Sequence, residues 1–117
     1  MRGLVWGYTF SDGISKMEEI EQNYHHIGIN TIRKNISKTN YWIEFDNGDL
    51  WRVVRSNESA RGYKANISYV DARIDPDFVC TVIRYSTYLP PYNAIRYFYP
   101  PQDCWPGEDE ENETKVK

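Results

Sequence analysis

From residue 41 the chain alternates. Tyr41, Ile43 and Phe45 share one parity, with Trp42 and Glu44 on the other. Beyond Asp46-Asn47-Gly48-Asp49, Trp51 and Val53 are set against Leu50, Arg52 and Val54. Period two over such runs predicts a pair of strands. Asn-Gly between them is the strongest short-range hairpin signal, because a type I′ turn needs two residues that accept positive φ. Both parities carry large apolar groups, so the hairpin is expected to be covered on both sides at least in part. A polar loop, SNESARGYKAN, leads to a third apolar run, 67–70, which ends on Asp71. The rest of the chain is arranged around this three-strand unit.

Upstream, GLVWGY at 3–8 reads as a short buried strand. A helical stripe follows, with Ile14, Met17, Ile20 or Glu21, Tyr24 and Ile27 recurring at three and four positions. Ser11 or Asp12 can cap its start, Ser15 with Glu18 has capping-box spacing, and Gly28 stands where a left-handed residue ends a helix. A second strand is predicted at 29–36, which makes strand, helix, strand, the order of a βαβ unit. His25 and His26 fall in the helix's last turn, where a cation is favourable against the dipole. Downstream, Asp75-Pro76 opens a short helix, the acid as cap and the proline at the first helical position. Phe78, Val79, Val82 and Ile83 supply its buried side. After Arg84 come five prolines and four tyrosines within 86–108, with a strand candidate at 94–99. The paired prolines at 90–91 and 100–101 favour extended segments.

These elements predict an α/β domain, with α+β as the alternative class: a small mixed sheet of about five strands with one longer and one short helix. Residues 1–106 form one domain, of which 85–106 is a proline- and tyrosine-rich arm, and 107–117 is an acidic tail. A length of 117 residues fits one domain and not two. Aromatic residues make up 15%, with ten Tyr and four Trp, which suits a strand-rich domain or one that offers aromatic surface to a partner.

Charge changes the picture through its location. The tail holds five acids against two lysines and so carries the whole net charge of −3; the body balances twelve basic against twelve acidic residues. A neutral body argues against a broad basic surface for duplex DNA while leaving a local patch open. The tail itself reads as a solvated end. No apolar run approaches the roughly 18 residues of a membrane span, and the first residues lack a secretory pattern, so the cytoplasm is the default location and no membrane partner is expected. Cys80 and Cys104 match no metal or redox spacing and read as two reduced thiols.

Candidate chemistry lies mostly within 51–73. Arg52, Arg55, Arg61, Lys64 and Arg73 are interleaved with Trp51, Tyr63 and Tyr69. Arginine with aromatic groups suits phosphate contact and base stacking. It suits a protein–protein hot spot equally, and arginines beside strands also serve simply to cover apolar surface. Asp71, Asp75 and Asp77 form the body's acidic cluster. Carboxylates at strand ends are what a two-metal nuclease uses, but Asp75 and Asp77 fit capping and first-turn dipole stabilisation as well. No nucleophile–base arrangement stands out, and neither a cofactor nor a metal site is expected; Asp71 and Asp75 would be the ligands if there were one.

In order, the first strand and helix, the 41–55 hairpin with its aromatic-x-x-Phe-x-Asn-Gly-Asp form, Ser59-Ala60-Arg61-Gly62-Tyr63 and Ile67-Ser68-Tyr69-Val70-Asp71 resemble the ATPase domain of tailed-phage large terminases, the DNA-packaging motors. The resemblance covers roughly 3–84. It implies that Asp71 stands where that family has its metal-coordinating Walker B aspartate, and Arg61-Gly62 where the loop before that strand lies. Two departures accompany it. No G-x-x-x-x-G-K-[ST] occurs to cradle phosphates, and Ala72 follows Asp71 where the family places the glutamate that orients the attacking water. Phosphoryl transfer rests on positioning and charge neutralisation, so an ATPase is not expected. The expectation is a non-catalytic phage or mobile-element accessory protein, working in a bacterial host's cytoplasm by binding a protein partner. That partner would be a host defence component, including a CRISPR nuclease, or another packaging protein. A nucleic-acid- or nucleotide-binding module using the Arg/aromatic patch is the alternative, and an Asp71-centred metal nuclease the third.

Overall fold

The computed structural model describes residues 1–37, 40–56, 63–88 and 94–99. Arg61, Gly62, Cys104, the paired prolines and the acidic tail lie outside the described residues.

Among the described residues six strands form one mixed sheet: β1 (Arg2–Gly7), β2 (Thr31–Ile36), β3 (Tyr41–Phe45), β4 (Leu50–Arg55), β5 (Ile67–Asp71) and β6 (Ala94–Phe98), in the order β2-β3-β4-β1-β5-β6. This is the small α/β architecture that the periodicity predicts, with one strand more than the five or so expected. Helix α1 (Phe10–His26) carries the chain from β1 to the far edge of the sheet. There β2, β3 and β4 pair antiparallel in succession, which brings β4 back alongside β1 in parallel register. The expected strand–helix–strand unit is therefore present with its two strands pointing the same way, but β3 and β4 fill the space between them. On the other side of β1, β5 and β6 add in parallel. They are connected through α2 (Pro76–Phe78), a π-helical segment (Val79–Ile83) and α3 (Arg84–Ser86), which run on as one helical stretch.

Each face of the sheet has its own core. Against α1 lie Val5, Met17, Ile20, Tyr41, Ile43, Phe45, Trp51, Val53 and Ile67; against the second helical stretch lie Leu4, Trp6, Val54, Ala65, Val70, Ile74, Val79, Val82 and Ile83. The central strands β1 and β5 are buried on both parities, as a parallel strand between helical layers requires.

Local chemistry explains the joins. Helix α1 begins ahead of both Ser11 and Asp12. Thr9 is the N-cap: its hydroxyl accepts from the Asp12 N–H (3.2 Å), and the Asp12 carboxylate accepts from the Thr9 N–H (3.2 Å). The box thus closes with an aspartate, not with Ser15 and Glu18. Gly28, at φ +88°, follows the helix's last turn as expected. The hairpin forms, but with three loop residues. The Gly48 N–H donates to the Phe45 carbonyl and the Phe45 N–H to the Asp49 carbonyl, so Gly48 (φ +93°) supplies a left-handed closing residue in place of a two-residue Asn-Gly turn. Asp75 caps α2 by accepting from the Asp77 N–H, with Pro76 at the first helical position.

A buried polar relay fastens the second helical stretch. The Trp6 indole donates to Ser68 Oγ (3.0 Å), Ser68 and Thr87 share a 2.6 Å hydrogen bond, and the Thr87 hydroxyl donates to the Ile83 carbonyl (2.8 Å). Since Thr87 has one hydroxyl proton, Ser68 is the donor to it, and the relay runs in one direction from β1 to the helix end. No described helix is long and apolar enough to cross a membrane.

Candidate functional site

Two places on the sheet gather the chemistry singled out above, at opposite ends of the parallel strands. The first is the carboxyl corner of β1 and β5, the end at which open α/β sheets ordinarily bind ligands. Asp71 closes β5 and is fully buried, 0% exposed. Both of its oxygens are occupied. Oδ1 accepts from the Arg73 N–H (3.0 Å) and Nε–H (3.0 Å), and Oδ2 from Arg73 Nη2 (2.7 Å) and the Tyr8 N–H (3.3 Å). Arg73 Nη2 lies 2.7 Å from Asp12 Oδ2 as well, so one guanidinium bridges two carboxylates, while its plane packs 4.9 Å from the Tyr8 ring. The hydrogen bond to Asp71 outweighs burial and holds the Arg73 pKa above its ordinary value, which keeps the bridge charged.

The chain between β1 and α1 is drawn tight over this corner. A Cβ on Gly7 would stand 2.3 Å from the Gly13 nitrogen, and one on Gly13 would stand 2.6 Å from Val53 Cγ1. The first turn of α1, which could otherwise attract an anion, already has the Asp12 carboxylate beside it and its Thr9–Asp12 box closed. Binding a cation at Asp71 would require displacing Arg73, and binding a phosphate would require displacing Asp12. Asp75 is exposed and engaged with the Asp77 N–H. Among the described residues, no group of three or more His, Cys, Asp or Glu side chains is placed to hold a metal.

The second place is the amino end of β1 and β4, on the face that carries the second helical stretch. Arg2, Gly3 and Leu4 from β1, Leu50 and Arg52 from β4, and Tyr63 and Lys64 ahead of β5 line a groove of about 350 Å³. Arg52 is held in place: its Nη1 donates to Asn40 Oδ1 (2.6 Å) and its guanidinium lies 5.8 Å from the Tyr63 ring centre. Tyr63 and Lys64 also border an adjoining cleft of about 170 Å³ with Thr81, Val82, Tyr85, Ser86 and Tyr88.

The residues expected to form one Arg/aromatic patch therefore separate. Arg52, Tyr63 and Lys64 come together. Trp51 does not join them: it is 3% exposed in the α1 core, stacked on Tyr69, with its indole donating to Tyr24 Oη (2.9 Å). Tyr24 in turn donates to Asp49 (2.6 Å). Arg55 lies across the sheet against the Phe10 ring (5.1 Å), and Arg73 belongs to the carboxyl corner. Arg2, Tyr85 and Tyr88 lie outside the set that the sequence singles out. Period two does put Arg2 on the parity of Leu4 and Trp6, but only the parallel pairing of β1 with β4, Arg2 opposite Leu50, brings it to Arg52.

No protein-family model matches the chain, and no curated protein does. Among solved structures, the large terminase of a thermophilic bacteriophage is similar in fold, with a TM-score of 0.55 over 84% of this chain at 11% identity. The match covers 25% of that terminase, so this chain spans about a quarter of its length. At this identity the likeness is one of fold alone.

Proposed function

We propose that the chain is a non-catalytic accessory protein of a phage or mobile element, with a terminase-like sheet that acts through its surfaces. The observation that carries this reading is the bridge from Arg73 to Asp71 and Asp12. The aspartate that the resemblance aligns with a metal ligand is saturated by the protein's own donors. The helix start beside it is charge-compensated internally. Ala72, where a catalytic glutamate is wanted, has its N–H committed to the Phe98 carbonyl (3.0 Å). Substrate phosphates would have to compete with ion pairs that are already buried, at a cost of several kcal/mol, about 3–5 for breaking one such pair.

The partner in this reading is a protein, either a bacterial defence component such as a CRISPR nuclease or another packaging protein. Support comes from the two outer strands, which carry Ile32 and Ile36 on β2 and Tyr97 on β6, each more than half exposed. Sheet edges with such side chains are places where another chain can add. Affinity capture with the full chain from phage-infected, CRISPR-bearing cells tests this. The expected result is one stoichiometric protein partner, released when charge is introduced at an edge by Ile36→Lys or Tyr97→Lys. Recovery of no stoichiometric partner, or of one indifferent to both substitutions, would overturn it.

A further inference from the structure

We infer that the groove at the amino end of β1 and β4 binds single-stranded nucleic acid, with Arg2, Arg52 and Lys64 meeting phosphates and Tyr63, Tyr85 and Tyr88 offering ring faces to bases. This goes beyond a protein partner and rests only on the reading that the chain works through its surfaces.

Charge is the first argument. Elsewhere the described cations are mostly neutralised by close carboxylates: Lys16 by Glu19, Arg33 by Glu44, Lys34 by Glu21, and Arg73 by Asp12 and Asp71. Among the described residues, no carboxylate lines the groove or the adjoining cleft. Among the described residues, Arg2 and Lys64 have no ion-pair partner, and Arg52 has only a neutral amide. Three uncompensated cations around one concavity repel one another. They also focus a positive potential there, although the protein as a whole is acidic.

Geometry is the second. Arg52 is pinned by Asn40 and its guanidinium lies over the Tyr63 ring, 5.8 Å from the ring centre, so its remaining donors are oriented before a ligand arrives. Tyr63 is 38% exposed, Tyr88 49% and Tyr85 73%, and the shared Tyr63–Lys64 wall makes the two clefts one track. Cations gathered in one cleft and exposed rings in the adjoining one suit a backbone whose bases are unstacked and free to lie on aromatic faces. In a duplex the bases are stacked away from such rings, and a free phosphate would leave the tyrosines unused.

The test is fluorescence anisotropy of a short labelled thymidine oligonucleotide with the full chain, from about 50 to about 200 mM salt. The expected result is saturable binding whose log–log salt slope is about −2, since each neutralised phosphate on a single strand contributes about −0.7. The triple variant Arg2→Ala/Arg52→Ala/Lys64→Ala should lose at least about tenfold in affinity and most of that slope. Tyr63→Ala with Tyr85→Ala should weaken binding while leaving the slope unchanged, because stacking releases no counterions. Arg96→Ala, on the outer strand β6 and outside both clefts, serves as the control, and circular dichroism confirms that every variant is folded. The inference is overturned by absence of binding at low salt, by binding that a folded triple variant retains, or by tighter binding to duplex than to single strand. Each of these would leave the capture experiment above untouched, and failure of that experiment would leave these results untouched.

Discussion

Arg73 carries more of the structure than its place in a short loop suggests. Removing it would leave the fully buried Asp71 carboxyl short of its side-chain donors, and Asp12 without its bridge. The main-chain N–H of residue 73 remains in a variant, so the loss is that of the side-chain pair. Arg73→Ala should destabilise the protein by about 3–5 kcal/mol in denaturant unfolding. Arg73→Lys should recover only part of this, since an ammonium cannot bridge as a planar fork does. Glu21 gives a residue-scale effect of pH. Burial raises its pKa, but hydrogen bonds from Thr31 and Lys34 together with the charges of Lys34 and His25 win, and the net shift is below the ordinary 4.5. A depressed carboxylate stabilises the fold above its unfolded pKa and ceases to do so as pH falls through the folded value. Melting curves should therefore show Glu21→Gln less stable than wild type near neutrality, with the gap closing below pH 4.5. A gap that widened there would reverse the sign of this argument. Trp51 shows the limit of reading residues singly. Beside Arg52 it reads as part of a surface hot spot, yet a strand's two parities face different layers, and nothing in the local sequence says which layer is wet.

At the scale of elements, periodicity and punctuation are legible. The 3.6-residue stripe predicts α1, alternation predicts β3 and β4, and Asp75-Pro76 marks the start of α2. What escapes are the details set by neighbours. The three-residue hairpin loop depends on how Asp49 pairs with Phe45, and the contact that Arg73 makes with the capping Asp12 joins residues far apart in the chain. The crossing of the β1–α1 loop over the helix start depends on two glycines far from any turn motif. Gly7→Ala should cost about 1–3 kcal/mol of stability, because the added Cβ meets main-chain atoms that cannot rotate away. Gly13→Ala meets a valine methyl group, which can yield more easily. An equal or greater loss for Gly13→Ala would show that the helix, not the loop, is the rigid partner. Likewise Thr87→Val should cost about 1–3 kcal/mol by stranding the Ser68 donor in the buried relay.

For the whole molecule, the sequence points to an α/β sheet and a terminase likeness but not to the strand order. That order arises from long-range parallel pairings of β1 with β4 and β5, and such pairings leave no local signal. The same pairings decide the function proposed here. They carry Asp71 and Arg73 to the corner with Asp12, and they carry Arg2 to the groove with Arg52 and Lys64. A chain so arranged has a carboxyl corner closed by its own charges and an amino end with charges left open. The claim about the corner is tested most directly by calorimetric titration of the full chain with Mg·ATP, with phosphate release followed in the same samples. The expected result is no saturable heat and no turnover above the protein-free blank. Saturable binding that disappears in a folded Asp71→Asn variant, or release of phosphate by the wild type that this variant lacks, would contradict it.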